Sequence, residues 1–523
     1  MAAQLERDGQ GTRANGPDAI VRADGITAAE RLLKRLCDHS FLSMWSYSGI
    51  YRDQGRLNGK GDGKEVCDLV VVFENHIIIF SDKDCEFPNT GNPDLDWSRW
   101  YKKAVRKSAE QIWGAERWIM SHPELLFLDR KCSISFPIDL PDPAVAKVHR
   151  IVVAHSVSNR CIKEYGGTGS LMIVPSIVGD LHTLAKKDGG RPFSIGQIDP
   201  AKGYVHVFDD TSLQAVMKTL DTITDFIGYL EKKEKVITSG KLGFAAGEDD
   251  LLAFYLKKIG PDGGHDFVVS PEFKTFSVDE GFWKIFEARP ERIAQIEANK
   301  VSYAWDGLIE TFSHHIFAGT SHYQSHPGVD QQERLFRLMA REPRTRRRLL
   351  ARSFLEIIKK TPPSVRTTRL VLPSKPGDPH YLFLLLPQTT EVAYEEYRGL
   401  RRMLLANYCE ITKLECPEAE RIVGIATESG RGVAGSEDFV LYDATKWTEQ
   451  DREHSLKTRA EMIELGLLGE RKRLEGVEKE FPDVPTIAQQ RGTMTFSMKG
   501  RNRNELCPCG SGKKVKKCHG QSQ

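Results

Sequence analysis

The chain lacks any hydrophobic run that approaches the roughly 20 apolar residues needed for a membrane-spanning helix. Its first residues, MAAQLERDGQGTRANGPDA, also lack the apolar core of a secretory signal. We therefore expect a cytoplasmic protein with no membrane partner.

The chain also lacks an excess of charge of one sign. Lys and Arg total 74 and Asp and Glu total 72, which gives a formal net charge of +2. Any surface for nucleic acid must therefore be a local basic patch. The 10 cysteines in 523 residues are too sparse for a disulfide-stabilised fold. Three of them lie close together near the C-terminus, which indicates metal binding rather than disulfide formation.

The distribution of apolar and polar residues predicts five segments. Residues 1–25 are polar and Gly-rich and predict a flexible arm, and residues 26–235 predict an α/β unit. Residues 240–480 predict a mixed α+β domain whose role the sequence does not indicate. Residues 481–501 predict a polar linker, and residues 502–520 a small zinc-bound module.

Within the α/β unit, a helix is expected to begin at Thr27, because Thr27 and Glu30 have the spacing of a capping box. Residues 67–83 contain two β-branched runs around a polar turn, which predicts a hairpin. A long helix is expected from about Ser98 and a buried strand over residues 149–157. Helix, strands, helix and strand in this order predict a compact α/β unit.

The C-terminal tail carries four closely spaced soft or borderline metal ligands, Cys507, Cys509, Cys518 and His519. Such a set fits a closed tetrahedral Zn²⁺ site. The tail resembles the SEC-C motif, a small zinc module found at the end of the bacterial translocase ATPase and on many unrelated bacterial proteins. The resemblance implies that these four residues hold a structural zinc ion. It implies no translocation, because the chain has no G-x-x-x-x-G-K-S/T loop.

The tail is also basic, which bears on what it contacts. Seven basic residues stand against Glu505 alone: Lys499, Arg501, Arg503, Lys513, Lys514, Lys516 and Lys517. A phosphate backbone or an acidic protein would both suit this patch. The zinc module therefore predicts contact with a protein partner or with nucleic acid.

The predicted hairpin carries Asp68 at the start of its first strand and Asp82 and Lys83 at the end of its second. With helices on both sides in sequence, it resembles the restriction-endonuclease-like PD-(D/E)xK fold. That resemblance implies that Asp68 and Asp82 hold Mg²⁺, while Lys83 orients the attacking water and offsets charge. The chemistry would be metal-assisted hydrolysis of phosphodiester bonds.

The sequence departs from this family at one position. The second acid would fall at Ser81, and Asp82 comes one residue late. In a regular strand, residues 81 and 83 share one face and residue 82 points to the other. Asp82 can act as the second acid if a bulge turns it inward. Alternatively, Asp82 and Asp84 form the strand face that carries the site. Asp82, Lys83 and Asp84 are otherwise a charged turn.

The helix after the hairpin adds Gln111, at a position that resembles a helix glutamine near the site in one branch of these nucleases. Its alternative role is that of a polar edge residue. Lys103, Arg106 and Lys107 on the same helix could meet phosphates. Glu30 is either an added metal ligand or only the capping-box partner of Thr27.

Outside these segments, residues 341–352 hold six arginines against Glu342 alone. This stretch predicts a helix with a basic face, either solvated or in contact with nucleic acid.

Three functions remain compatible with the sequence. The leading hypothesis is a bacterial metal-dependent nuclease with catalytic Asp68, Asp82, Lys83 and Gln111 and an appended zinc module. The second is a nuclease-like protein that lacks the second acid and binds nucleic acid without cutting it. The third is an adaptor that recruits a protein partner through the zinc tail. Whether the chain is an enzyme depends on the consequence of Ser81.

Overall fold

The computed structural model describes residues 22–53, 61–261, 263–317, 329–388, 391–430, 436–469, 472, 476, 478–484, 513–514 and 517. Most of the expected arm (1–25), most of the expected linker (481–501) and all four zinc ligands lie outside these residues.

The described residues form a mixed α/β structure with several sheets. The strands are β1 Ser46–Arg52, β2 Lys64–Phe73, β3 His76–Lys83, β4 Lys147–Ala154, β5 Met172–Val178, β6 Ser194–Gln197, β7 Val205–Asp209, β8 Leu242–Ala245, β9 Phe276–Val278, β10 Thr367–Val371, β11 His380–Leu386, β12 Arg421–Glu428 and β13 Asp438–Asp443.

Fourteen α-helices accompany these strands in the described residues. They are α1 Ala28–Phe41, α2 Pro93–Trp100, α3 Lys107–Ser121, α4 Ser158–Tyr165, α5 Ser212–Thr219, α6 Ile223–Thr238, α7 Glu248–Leu256, α8 Phe282–Glu287, α9 Pro290–Asn299, α10 Tyr303–Phe317, α11 Val329–Ala340, α12 Arg344–Lys360, α13 Tyr394–Glu415 and α14 Glu449–Glu464. Among these helices, none is long and apolar enough to cross a bilayer.

The first sheet has the strand order β1-β2-β3-β4-β7. The first three strands form an antiparallel meander, and β4 and β7 then add in parallel. The predicted hairpin is confirmed, with Phe73 opposite His76 at its turn. The capping box at Thr27 is also confirmed. The predicted helix after the hairpin begins earlier than Ser98, because Asn92 caps α2 and Pro93 occupies its first turn.

Helices cover both faces of this sheet. Leu33 and Phe41 of α1 join a buried cluster with Phe80 of β3 on one face. Ile112 of α3 joins a second cluster with Ile79 of β3 on the other face. The strand therefore sends alternate side chains to the two helices, as its period of two residues requires.

A π-helical segment, Tyr101–Arg106, links α2 to α3. It carries Lys103 and Arg106, which were expected on one regular helix with Gln111. Lys107 begins α3 itself.

The second sheet crosses the boundary that the sequence suggested near residues 235–240. Its strand order is β6-β5-β8-β9, so that β8 and β9 from the expected middle domain pair with β5 and β6 of the α/β unit. One buried apolar cluster also runs from Leu33 to Ile425. The middle region therefore shares a hydrophobic core with the α/β unit.

The third sheet has the order β10-β11-β12-β13 and belongs to the middle region. Nearby helices α10 and α11 brace the connection between α1 and β1. The backbone N–H of Ser43 donates to Glu310 over 2.5 Å, and the indole N–H of Trp45 donates to Glu333 over 2.7 Å. These bonds tie the start of the first sheet to the middle region.

The arginines of residues 341–352 do not form the expected solvated face. Arg344, Arg347 and Arg348 are buried on α12. Arg344 pairs with Asp221 over 2.8 Å and with Asp306 over 2.7 Å, and Arg347 also pairs with Asp306 over 2.7 Å. Burial alone would raise the pKa of Asp306, but the two guanidinium groups lower it. The sequence showed the charge run but could not show that distant carboxylates neutralise it.

Candidate functional site

The site is built where β2 and β3 lie beneath α3. Leu69 of β2 is opposite Phe80 of β3, so Asp68 and Ser81 follow as the next facing positions. A carboxylate oxygen of Asp68 accepts the backbone N–H of Asp82 over 2.6 Å. This bond fixes the Asp68 carboxylate against the end of β3.

β3 is regular to its end. It pairs with β4 in unbroken register from His76 opposite Lys147 to Lys83 opposite Ala154. Ser81 and Lys83 therefore share the α3 face with Asp68, and Asp82 faces the α1 side. The bulge that would bring Asp82 beside Asp68 is not formed.

Asp68, Ser81 and Gln111 line one cavity of about 300 Å³ between the sheet and α3. Arg52 and Glu110 also line it. Gln111 is thus near the first acid, as the sequence analysis expected. The serine hydroxyl stands where the family resemblance places the second carboxylate.

The environment of Asp68 disfavours its charged form. Burial raises the pKa of Asp68 to about 6, and nearby Glu65 and Asp82 add to the rise, while the hydrogen bond from the Asp82 N–H opposes it. A carboxyl group with a raised pKa in a cavity is a candidate functional group. A bound cation would offset the desolvation that raises this pKa.

Asp82 belongs to a different cluster. Its carboxylate contacts Nε2 of His155 over 2.7 Å, and Nδ1 of the same ring contacts Asp210 over 2.8 Å. These residues meet because β3, β4 and β7 are parallel and end at the same edge of the sheet. Burial alone would lower the pKa of His155, but the two carboxylates raise it to about 10. The ring is therefore an imidazolium that donates to both carboxylates at neutral pH.

This cluster corrects the proposed magnesium pair. Asp68 and Asp82 were expected to hold Mg²⁺ together, but their carboxylates lie on opposite faces of the sheet and Asp82 is occupied by His155. Sequence reasoning missed His155 and Asp210. The available signal was their position directly after two buried strands, where polar side chains of parallel strands meet.

Lys83 is not among the residues that line the cavity. Burial raises the pKa of the Cys85 thiol, and the positive charges of Lys103 and Lys83 lower it. Both ammonium groups therefore lie near Cys85. Lys103 and Lys107 are exposed, and Arg106 pairs with Asp180 over 2.6 Å. Arg52 and Lys64 line the cavity, whereas Lys83, Lys103, Arg106 and Lys107 do not.

Glu30 serves as the capping-box partner. Its carboxylate accepts the backbone N–H of Ile26 over 2.6 Å and that of Thr27 over 3.3 Å. Its charge still reaches Asp68, whose pKa it helps to raise.

The oxygen donors of the cavity partly fit a magnesium ion. Mg²⁺ prefers oxygen ligands and keeps several waters, so one carboxylate with neutral donors beside it can suffice. Asp68 supplies a carboxylate, Glu65 and Glu110 also line the cavity, and Ser81 and Gln111 offer a hydroxyl and an amide oxygen. The family resemblance implied two carboxylates, and the cavity lacks the one expected at residue 81.

The residues expected to bind zinc, Cys507, Cys509, Cys518 and His519, lie outside the described residues. Three cysteines and one histidine are nevertheless the donor types that zinc prefers in structural sites.

Comparison with known proteins identifies the tail. Residues 503–521 match the family described as SEC-C motif, a zinc-binding module. The chain is 36% identical over 81 residues to the protein translocase subunit SecA of Alcanivorax borkumensis, covering 15% of this chain and 8% of the relative. It is 42% identical over 57 residues to that subunit from Pelodictyon phaeoclathratiforme, covering 10% of this chain and 6% of the relative.

The chain thus spans less than a tenth of these relatives. No solved structure shows a significant match. The comparisons therefore establish a SEC-C motif at the C-terminus.

Replacing Asp68 should stabilise the protein at neutral pH. The carboxyl ionises near its usual pKa of 3.8 when unfolded and near 6 when folded. The folded state is therefore penalised increasingly as pH rises from about 4 to 6, and fully above that range. Asp68→Asn removes the charge but keeps an acceptor for the Asp82 N–H. We expect it to raise the free energy of unfolding by about 1–3 kcal/mol at about pH 7.5.

Urea unfolding at about pH 7.5 and about pH 4 measures this effect. The difference between the variant and the wild type should vanish near pH 4. The control is Asp84→Asn, which alters an exposed carboxylate two residues from Asp82. An Asp68→Asn protein that is less stable than the wild type near pH 7.5 would contradict the raised pKa.

The tail should carry one zinc ion and should contribute little to core stability. Replacing Cys507 and Cys518 with serine removes two thiolate ligands, so zinc content should fall by about one ion per chain. The main thermal transition should remain nearly unchanged, because the motif folds around its own metal. Elemental analysis and calorimetry of the full chain check both. An undiminished zinc content would contradict the assigned ligands.

Proposed function

We propose that the α/β unit acts on nucleic acid and hydrolyses phosphodiester bonds with the help of Mg²⁺. The observation that carries this proposal is the meeting of Asp68, Ser81 and Gln111 in one cavity beneath α3. The unfavourable environment of the Asp68 carboxylate supports a role in holding a cation.

The topology supports the same proposal. A helix, an antiparallel three-stranded meander, a helix on the opposite face and a parallel strand follow one another along the chain. This is the order that a restriction-endonuclease-like core would require. Asp68 lies on the second strand of the meander and Lys83 at the end of the third, as the resemblance implied.

In this proposal each side chain has a distinct task. Asp68 holds the cation, and Gln111 and Ser81 orient its remaining ligands or the substrate. Bound Mg²⁺ would supply activation of water and neutralisation of phosphate charge. Lys83 adds positive charge beside the scissile phosphate. The exposed Lys103 and Lys107 hold neighbouring phosphates of the strand.

A second candidate function is binding of nucleic acid without cleavage. The observation that favours it is Ser81, because a hydroxyl in place of the second carboxylate weakens attraction for a divalent cation. Asp82, the alternative second acid in the sequence, contacts His155 instead. The basic residues beside the cavity would serve binding equally well.

The zinc-bound tail would then add a contact for nucleic acid or for a protein partner. Its basic residues support both roles, and Lys513, Lys514 and Lys517 are exposed in the described structure. The name of the matched relatives, protein translocase subunit, is compatible with a protein contact. An adaptor role without any nuclease activity is the third proposal.

Nicking of supercoiled plasmid with Mg²⁺, Mn²⁺ or chelator tests the leading proposal. Asp68→Ala and Lys83→Ala should each lower cleavage by at least about 100-fold, since each removes a charge that acts in the transition state. Ser81→Glu should raise cleavage, because it restores the missing carboxylate on the same face as Asp68. Asp82→Ala should have a smaller effect than Asp68→Ala, because its carboxylate faces away from the cavity.

Asp84→Ala is the matched control, since Asp84 is an exposed acid beside the site. Wild-type cleavage that survives both Asp68→Ala and Lys83→Ala would contradict the proposed site. Salt-dependent binding of DNA or RNA by a wild type that does not cut, with cleavage gained on Ser81→Glu, would establish the second candidate.

A further inference from the structure

A second group of metal-binding side chains lies at the opposite end of β3. His76 begins β3, His149 lies on the neighbouring β4, and Glu231 reaches them from α6. Ligand atoms of the three residues lie within 4.8 Å of one another. The separation along β3 from His76 to Ser81 is about 16 Å, so this group is distinct from the cavity.

The backbone explains why these residues meet. His76 pairs with Lys147 and Ile78 pairs with His149, so the two histidines project from the same face of adjacent strands. Their rings stack at a centroid distance of 5.2 Å, and Nδ1 of His76 lies 2.9 Å from Nε2 of His149. α6 packs on the same face and supplies the carboxylate.

All three groups are in the protonation state that a metal requires. Burial lowers the pKa of His149 to about 4, helped by His76, and burial also lowers the pKa of His76. Burial alone would raise the pKa of Glu231, but the hydrogen bond and charge of Lys147 lower it. Two neutral imidazoles and one carboxylate therefore converge at neutral pH.

We propose that Nδ1 of His76, Nε2 of His149 and the carboxylate of Glu231 bind a divalent transition-metal ion of the Zn²⁺ class. Two histidines and one acid form a borderline nitrogen and oxygen set that suits Zn²⁺, Co²⁺ or Ni²⁺ better than Mg²⁺. Three protein ligands leave a fourth position open to water. The ion would join β3, β4 and α6.

Two contacts at the site must change for a metal ion to bind. The ring nitrogens are 2.9 Å apart, whereas two nitrogens on one tetrahedral zinc ion lie about 3.3 Å apart. A small rotation of the exposed part of His76 would open this gap. Lys147 lies 2.7 Å from Glu231 and must give way as the metal binds. Both partners of that ion pair are partly exposed, so its loss costs about 1 kcal/mol or less.

Titration of the metal-free full-length protein with Co²⁺ tests the proposal and separates this site from the tail. Cobalt bound by the cysteines of the tail shows thiolate charge-transfer absorption, and cobalt bound by nitrogen and oxygen shows visible d–d bands alone. We expect one equivalent of each kind. The cobalt ion without charge-transfer absorption should bind at least about 100-fold more weakly to Glu231→Gln and to the double variant His76→Ala/His149→Ala. Each variant removes a direct ligand, and even the loss of a residue that only hydrogen-bonds to a ligand weakens metal binding by roughly 10–100-fold.

Two variants complete the design. Lys147→Ala should bind the second cobalt at least as tightly as the wild type, because it removes the competitor for Glu231. His454→Ala, which alters an exposed histidine elsewhere, should change nothing. Glu231 lies on the partly exposed face of α6, so Glu231→Gln reports on the site even if the double histidine variant does not fold. Absence of the second equivalent from the wild type, or its undiminished binding to Glu231→Gln, would overturn the proposal.

Discussion

The regular alternation of side chains along β3 determines which of its residues face the candidate site. Because the strand stays in unbroken register through Lys83, it turns Ser81 toward Asp68 and turns Asp82 toward His155. The hydrogen bond from the Asp82 backbone to the Asp68 side chain holds this arrangement at the strand end. Two adjacent residues thereby enter two different electrostatic environments, and in the cavity beneath α3 a hydroxyl rather than a carboxylate faces Asp68 from β3.

The carboxylates on the two faces of the sheet have different partners. On the α1 side, the His155 ring contacts Asp82 and Asp210 and its single positive charge offsets one of their two negative charges, so that the carboxyl ends of three parallel strands are tied together. On the α3 side, the Asp68 carboxylate accepts a backbone N–H, and burial raises the pKa of its carboxyl group. One oxygen of Asp82 contacts His155, whereas a bound cation would offset the desolvation that raises the pKa of Asp68. This contrast makes the α3 side the better candidate for chemistry.

The surrounding structure holds the site on a large scaffold. Bonds from Glu310 and Glu333 fix the connection between α1 and β1, and a shared core joins the first sheet to the middle region. The buried arginines of α12 neutralise carboxylates from both regions, including Asp221 and Asp306. Losing one partner from such a buried network typically costs about 3–5 kcal/mol, since it leaves an uncompensated charge. The middle region thus acts at least as support for the α/β unit.

Local patterns allowed the capping box at Thr27 and the hairpin to be predicted, whereas the place of Gln111 near Asp68 was implied by the family resemblance. The face of Asp82 could be stated only as alternatives, because period-two alternation holds until a bulge interrupts it and the sequence does not show bulges. His155, the partner of Asp82, is 73 residues away along the chain. Asp221, a partner of Arg344 on α12, is 123 residues away. Such contacts depend on the tertiary fold, which apolar periodicity does not specify.

The central claim is that Asp68, and not Asp82, is the acid that holds a divalent cation. Crystals of the wild-type protein soaked in Mn²⁺ test it directly through anomalous diffraction. The account predicts an anomalous peak in the cavity lined by Ser81 and Gln111, about 2.2 Å from a carboxylate oxygen of Asp68. A peak on Asp82 on the opposite face, with the cavity empty at saturating Mn²⁺, would contradict it.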